Sequence, residues 1–184
     1  VWIMPNPGDA GSAVGCVLDH LGEKTEYSSP YLGYNITGAY PVKSSLVHLY
    51  DGEGLVGVAN GRAEYGPRAL GNRSLLADPR GQGMKDKVNA VKRRQEFRPF
   101  APVIKEEKLH DYFDMPAGCN SSPFMQFVGR CKYPELYPAI THLDGTSRVQ
   151  TVTAEQHPGL YALLDEWEKL TDCPMLLNTS LNIK

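Results

Sequence analysis

The sequence predicts an α/β protein whose sheet is partly parallel. Short apolar runs rich in β-branched residues, which favour strands, alternate along the chain with segments whose apolar residues recur at helical spacing. Of the 184 residues, 41% are hydrophobic and 22% are charged, a composition typical of a globular domain with a sizeable core. No internal repeat or low-complexity tract interrupts the alternation, which is the pattern of an α/β fold.

Residues 1–41 predict one helix followed by a linker. The turn formers of residues 5–8 precede a small, apolar helix over residues 10–21, which Gly22 ends. Asp9 stands where a helix cap is expected. Residues 23–41 are polar and contain several serines, glycines and prolines, so we place a domain boundary in this segment.

The remaining elements alternate between strands and helices. The strongest amphipathic helix begins after Pro158 and Gly159 and places its leucines and Trp167 on one face. The predicted strands cover residues 55–59, 74–77, 100–104, 124–128, 139–142, 149–153 and 175–177. The predicted helices cover residues 44–50, 83–94, 106–113 and 160–170.

Composition also limits the function. The formal net charge of -2 argues against a protein that binds nucleic acid mainly by neutralising phosphates. No run approaches the roughly 18 apolar residues that span a bilayer, and the first residues lack the pattern of a signal peptide, so we expect a cytoplasmic protein. Cys16, Cys119, Cys131 and Cys173 form no CxxC pair, so we expect buried, reduced thiols.

Arginines are concentrated between residues 60 and 100, on backbone rich in glycine and proline. They are Arg62, Arg68, Arg73, Arg80, Arg93, Arg94 and Arg98. Cations grouped on irregular backbone indicate a small anionic ligand. In the loop over residues 61–74, glycines let the backbone approach a ligand, and Pro67 stiffens the turn before Arg68. The alternative is an ordinary surface loop whose arginines pair with Glu64 and Asp78.

Several stretches of the chain, taken in order, carry a family signature. They are GRAEYGPRALGNRSLLADPR at residues 61–80, VNAVK at 88–92, EFRPFAP at 96–102, THLDGTSRVQTV at 141–152 and LLNTS at 176–180. Together they closely resemble the signature of the NodU/CmcH-type O-carbamoyltransferases. Motifs in the family's order over most of the chain are far more specific than one glycine-rich loop.

This resemblance implies two domains and an activity. Residues 1–35 would be the C-terminal tail of an actin-like ATP-binding and transfer domain, with its linker. Residues 40–184 would be a YrdC-like domain truncated at its C-terminus, with a twisted, mixed and partly parallel open sheet and flanking helices. The YrdC-like domain forms carbamoyl adenylate from carbamoyl phosphate and ATP, and the actin-like domain transfers the carbamoyl group to a hydroxyl of a small-molecule acceptor. Both ends of the chain look cut, so we expect part of a longer protein.

The resemblance also implies the site residues. The family's contacts to carbamoyl phosphate and ATP fall on Arg68, Lys92, Arg98, Arg148, Asn178 and Ser180. The four cations would be the catalytic residues, because arginine forks grip phosphate or carbamate oxygens and lysine offers a point charge to the ATP phosphates. Cations in one cleft repel each other unless an anion lies among them, so we expect a single pocket around a doubly charged substrate.

The expected cofactors are ATP and Mg²⁺, together with iron or another divalent metal in the actin-like domain. We expect most ligands of that metal to lie outside this chain, and the resemblance suggests Asp9 as one ligand. The alternative for Asp9 is a plain N-cap. His142 is either a proton acceptor or a structural histidine. Arg93 and Arg94 occupy neighbouring positions of a predicted helix, which face different ways, so we expect at least one to be solvated and both to matter less than Arg68.

Two other functions remain open from the sequence. One is an RNA-binding or threonylcarbamoyl adenylate-type YrdC module. The net negative charge and the lack of aromatic residues among the arginines argue against it. The other is a non-catalytic sensor of carbamoyl phosphate. We expect carbamoyl phosphate, ATP and a hydroxyl-bearing acceptor as partners, without a membrane or nucleic acid. A homodimer is compatible with the sequence.

Overall fold

A computed structural model of the protein describes residues 4, 6–22, 24 and 29–183. The strands are β1 (Asn35–Ile36), β2 (Leu55–Ala59), β3 (Gly61–Arg62), β4 (Arg73–Ala77), β5 (Ala101–Lys105), β6 (Phe113–Asp114), β7 (Phe127–Cys131), β8 (Thr146–Val152) and β9 (Met175–Ser180). The helices are α1 (Asp9–Leu21), α2 (Val42–Leu46), α3 (Met84–Val91), α4 (Leu109–Tyr112) and α5 (Pro158–Thr171). A π-helical turn (Val47–Asp51) follows α2, and a 3₁₀ turn (Glu106–Lys108) precedes α4.

Within the described residues, seven strands form one open sheet in the order β2-β4-β9-β5-β8-β7-β6. Strands β5 and β8 run parallel, and the other neighbours run antiparallel. The short strands β1 and β3 pair separately. The predicted α/β class with a mixed, partly parallel sheet is therefore confirmed.

Both faces of the central sheet are covered, because apolar residues occupy consecutive positions on its inner strands. Leu76 on β4 and Leu176 on β9 pack against α5, where Trp167 is fully buried. Leu75 and Leu177 point to the opposite face, which α3 and α4 cover. Each strand therefore contributes to two cores, as expected for a sheet with helices on both sides.

Some predicted element boundaries were wrong. Residues 139 and 140 lie in a turn, and residues 141 and 142 lie in irregular backbone rather than in a strand. Ala139 and Ile140 are buried, so their apolar character reflects the core and not an extended backbone. The strand predicted at 124–128 is found at β7, because the left-handed backbone of Met125, with a φ of 55°, turns the chain just before it. The helix predicted over 83–94 ends at Val91.

The cysteine prediction was correct for three residues. Cys119, Cys131 and Cys173 are buried free thiols, whereas Cys16 is exposed on α1. In the part of the chain that the structure describes, no helix is long and apolar enough to cross a membrane.

The glycine-rich loop between β3 and β4 is held by hydrogen bonds to its backbone. The carboxylate of Glu64 accepts from the backbone N–H groups of Leu70 and Asn72, at 2.7 and 2.8 Å. The hydroxyls of Tyr31 and Tyr40 donate to the carbonyls of Leu70 and Gly71. Gly71 has a φ of +116° and leaves no room for a Cβ, so only glycine fits there.

His157 joins this loop to α5. Its Nδ1 accepts a hydrogen bond from the backbone N–H of Leu160 in the first turn of α5, and its Nε2 lies 2.9 Å from Oδ1 of Asn72. Both contacts fit a neutral ring with its proton on Nε2. Burial is the main cause that lowers the pKa of His157 below its ordinary value.

We expect His157→Ala to destabilise the protein more at pH 8 than at pH 5.5. The folded-state pKa lies below the unfolded value of about 6.5, so the contribution of His157 is complete above that pH and shrinks as the pH falls through it. At pH 8 the loss of the helix cap and of the Asn72 contact should cost about 1–3 kcal/mol. Urea unfolding at the two pH values measures both quantities.

The exposed His20 on α1 provides the control. His20→Ala should leave the unfolding midpoint nearly unchanged at both pH values. An equal loss of stability for His157→Ala at pH 8 and pH 5.5 would contradict a neutral, capping histidine.

Candidate functional site

Alternate residues on two strands point to one end of the α5 face of the sheet. Arg148 lies on β8, and Asn178 and Ser180 lie on β9. Because side chains alternate between faces along a strand, Asn178 and Ser180 share the face of Leu176, which packs against α5. The glycine-rich loop covers this face beyond α5, since Asn178 Nδ2 donates to the carbonyl of Ala69. The loop and the strands enclose one cleft, and residues 92–98 with the end of β9 enclose a second cleft beside it.

The first cleft has a volume of about 110 Å³. It is lined by Pro67, Arg68, Ala69, Arg94, Pro99, Phe100, Ala101, Met125, Arg148, Asn178, Thr179 and Ser180. Drug-sized ligands usually occupy pockets of about 300–1,000 Å³, so this cleft suits a much smaller molecule.

The second cleft has a volume of about 180 Å³. It is lined by Lys92, Arg94, Arg98, Ser180 and Asn182. Arg94 and Ser180 line both clefts and therefore form their common wall. Among the described residues, neither cleft has an Asp or Glu in its lining, although the two contain five cations.

Arg148 is the most strongly perturbed cation of the site. Its burial, and then repulsion from Arg68, lower the pKa of Arg148 to about 10. Its Nε is buried and has no hydrogen-bond partner in the described residues. A half-buried guanidinium beside a like charge is unfavourable without a counterion, and the described lining of this cleft contains no carboxylate.

The cations of the second cleft also repel each other. Burial and then Arg98 lower the pKa of Arg94, and burial and then Arg94 lower the pKa of Lys92. Arg94 is held in place, because its Nε donates to Asn89 Oδ1 at 2.6 Å and its guanidinium lies 4.2 Å from the centre of the Phe100 ring. Its position is therefore fixed before any ligand binds.

Lys92 differs from the other cations. Its side chain is almost fully buried, with 5% exposure. Its ammonium contacts the carbonyl and the hydroxyl of Ser180, and donates to the carbonyl and the side-chain oxygen of Asn182 at 3.1 and 2.8 Å. An ammonium has three protons, so these four oxygens occupy it fully. Lys92 thus holds the chain after β9 in place.

All six residues predicted for the site line one or other cleft. Arg68, Arg148 and Asn178 line the first, Lys92 and Arg98 line the second, and Ser180 lines both. Their roles stay predictions. Sequence reasoning missed Arg94, which we expected to matter less than Arg68. That expectation treated residues 93 and 94 as helical, whereas α3 ends at Val91 and Arg93 has a φ of 51°, which turns Arg94 toward the clefts.

The alternative of an ordinary surface loop predicted that its arginines pair with Glu64 and Asp78, and these pairs are not what the structure shows for the loop's own arginines. Glu64 accepts from backbone N–H groups. Asp78 pairs with Arg80, at 2.8 Å, outside the loop. Arg73 donates to backbone carbonyls, including that of Tyr34 at 2.8 Å. The loop is thus braced from inside, which leaves Arg68 exposed at the first cleft.

Asp9 is exposed in the first turn of α1, and Gly8 rather than Asp9 occupies the N-cap position. The plain N-cap alternative is therefore wrong. Over the described ranges, no group of three or more His, Cys, Asp or Glu side chains could hold a metal ion. The role of Asp9 as a metal ligand stays a prediction, because most of its partner ligands were expected outside this chain.

His142 is half-buried, and its Nδ1 lies 3.3 Å from the hydroxyl of Thr146. Burial is the main cause that lowers its pKa. It does not line either cleft in the described structure. This position favours the structural alternative for His142.

The fold is a mixed α/β sheet, and five cations line the two clefts at one end of it. Residues 48–184 match the sequence model of the family described as Carbamoyltransferase C-terminus. Since this match covers most of the chain, the protein belongs to the carbamoyltransferase family. The resemblance to the NodU/CmcH-type enzymes is confirmed.

Three nodulation proteins match nearly the whole chain. Nodulation protein NolO of Bradyrhizobium diazoefficiens is 37% identical over 99% of this chain and 38% of its own length. Nodulation protein U of Azorhizobium caulinodans is 39% identical over 99% of this chain and 35% of its own length. Nodulation protein NolNO of Sinorhizobium fredii is 35% identical over 99% of this chain and 31% of its own length. The chain thus spans about a third of the length of these relatives.

We expect Lys92→Met to lower the free energy of unfolding by about 1–3 kcal/mol, because it removes the hydrogen bonds from the buried ammonium to the carbonyls of Ser180 and Asn182. Lys87→Met is the matched control, since Lys87 pairs with Glu53 at the surface and should change stability by less than about 1 kcal/mol. Urea unfolding compares the two variants. Equal, small losses would show that Lys92 does not anchor this segment.

Proposed function

We propose that this chain carries the part of an ATP-dependent O-carbamoyltransferase that forms carbamoyl adenylate from carbamoyl phosphate and ATP. The observation that carries the proposal is the half-buried Arg148, whose Nε has no partner, beside Arg68 in a cleft whose described lining contains no carboxylate. Membership of the carbamoyltransferase family supports the choice of anion.

In this proposal the first cleft binds carbamoyl phosphate. The phosphate group carries two negative charges, which offset the repulsion between Arg68 and Arg148. Hydrogen bonds between charged groups contribute about 1.5–3 kcal/mol each. Guanidinium forks suit phosphate oxygens geometrically as well. Ser180 supplies a hydroxyl at the wall between the two clefts.

The second cleft would bind the phosphates of ATP. Arg94 and Arg98 line it, and Arg94 also borders the first cleft. An arginine shared by two clefts holds the two substrates next to each other, which is the main requirement of a reaction that depends on positioning. Magnesium would enter with ATP, held by the phosphates, and would neutralise part of their charge.

The chemistry then needs few acids or bases. Water releases carbamate and phosphate from carbamoyl phosphate, and a carbamate oxygen attacks the α-phosphorus of ATP, so that carbamoyl adenylate forms and pyrophosphate leaves. Arg68, Arg94 and Arg148 stabilise the charge that develops on the transferred groups. Because the guanidinium of Arg94 is fixed by Asn89, it needs little rearrangement in the transition state.

The proposal extends to the parts of the protein around the clefts. Residues 40–184 would form the adenylate-forming, YrdC-like domain. Residues 1–35 would belong to the actin-like domain, which transfers the carbamoyl group to a hydroxyl of a small-molecule acceptor. The metal of that domain would take most of its ligands from outside this chain, with Asp9 as one of them.

We expect Arg148→Ala to lower kcat/KM for pyrophosphate release, measured with carbamoyl phosphate and ATP, by at least about a hundredfold. The variant loses two or more charge-assisted hydrogen bonds to the reacting anion. The fold should persist, because removing a half-buried charge relieves its repulsion with Arg68. Unchanged turnover would remove Arg148 from the site.

Adjacent arginines supply a matched control. Arg94→Ala should also impair pyrophosphate release, whereas Arg93→Ala should not, because Arg93 is exposed and lines neither cleft in the described structure. Carbamoyl phosphate binding without pyrophosphate release would indicate a sensor instead of an enzyme. Salt-dependent retention of RNA by the wild-type protein would indicate the RNA-binding module.

A further inference from the structure

Two buried side-chain amides meet under the first cleft. Asn178 on β9 and Gln150 on β8 are 2% and 1% exposed. Strand β5 lies between β9 and β8, and its Ala101 is directly opposite Asn178. The small side chain of Ala101 leaves room for the two amides to reach each other across β5, where Asn178 Nδ2 lies 2.7 Å from Gln150 Oε1.

Gln150 fixes the orientation of the Asn178 amide. Its Nε2 donates to the carbonyl of Leu70 at 3.0 Å, so its Oε1 is directed at Asn178. Asn178 Nδ2 donates to this oxygen and to the carbonyl of Ala69, at 3.1 Å, which uses both of its protons. A flipped Asn178 amide would place its oxygen against two other acceptors. The network therefore allows one orientation.

In this orientation Oδ1 of Asn178 lacks a donor. The atom is buried and has no hydrogen-bond partner among the described residues, and Asn178 lines the first cleft. A buried acceptor without a donor is unfavourable, so it favours a ligand that brings an N–H or O–H group. The cations beside it favour anionic oxygens. The ligand that satisfies both is an anion with an N–H donor next to it.

We propose that Gln150 is a positioning residue that directs Oδ1 of Asn178 to the amino group of a carbamoyl ligand, so that the site prefers carbamoyl phosphate to acyl phosphates. This inference rests on the proposed function of the first cleft. Acetyl phosphate has a methyl group where carbamoyl phosphate has an amino group, and the two have the same charge and similar shape. Arg68 and Arg148 cannot distinguish them, whereas an oriented acceptor can.

Two stable compounds test the preference. Phosphonoacetamide and 2-oxopropylphosphonate share the phosphonate and the carbonyl, and differ in an amino against a methyl group. In calorimetric titrations at pH 8, the wild-type protein should bind the amide about 10- to 100-fold more tightly, because the methyl compound leaves the acceptor unpaired. Asn178→Ala should bring this ratio close to one.

Gln150→Leu tests whether Gln150 acts by orienting the Asn178 amide or only by filling space in the core. The affinity ratio should fall about tenfold, while the dissociation constant for inorganic phosphate stays within about threefold of wild type. Gln150→Glu keeps an oxygen that accepts from Asn178 Nδ2, so it should retain the ratio and weaken both ligands alike. If Gln150→Leu does not fold, Gln150→Met replaces it, since it keeps the length of the side chain without its polar atoms.

The outcomes distinguish the two proposals. A wild-type ratio near one, with tight binding of both phosphonates, would overturn the selectivity while leaving the anion site intact. An unchanged ratio in the folded Gln150→Leu variant would overturn the role of Gln150. Failure of the wild-type protein to bind phosphate or either phosphonate would overturn the proposed function itself.

Discussion

Hydrogen bonds from several side chains to the backbone of residues 69–72 hold the glycine-rich loop against the end of the sheet. Glu64 belongs to the loop itself, whereas Gln150 and Asn178 belong to the sheet. His157 adds a contact from the start of α5. Because these contacts fix the loop, Arg68 stays beside Arg148 despite their repulsion. Without the braced loop, the two guanidiniums would move apart and the first cleft would lose its charge.

Repulsion among the cations of the two clefts is unfavourable, and under the proposed function a bound substrate anion would offset it. Burial and like charges lower the pKa values of Lys92, Arg94 and Arg148 together. Such an arrangement costs stability in the free protein, and it persists because the surrounding fold is well packed on both faces of the sheet. A bound anion would offset this repulsion, and the free energy gained would contribute to the affinity for that anion. Under the proposed function, anion binding would therefore raise the stability of the protein.

Much of the fold could be predicted from residue patterns, because most strands and helices here have clear apolar periodicity. The α5 stripe and the buried strands β4, β5 and β9 are examples. Ala139 and Ile140 mimic a strand because a buried turn needs apolar residues too. The family signature pointed to Arg68 and Arg148. The spacing of apolar residues, however, does not show that α3 ends at Val91. Arg94 and the partner of Asn178 were therefore visible only in three dimensions.

A crystal structure of the protein with carbamoyl phosphate is the most direct test of the first cleft. We predict that the phosphate oxygens lie within hydrogen-bond distance of the guanidinium groups of Arg68 and Arg148, with the carbamoyl amino group at Oδ1 of Asn178. A ligand bound elsewhere on the protein, with Arg68 and Arg148 turned to solvent, would contradict the proposal that these two cations form one anion site.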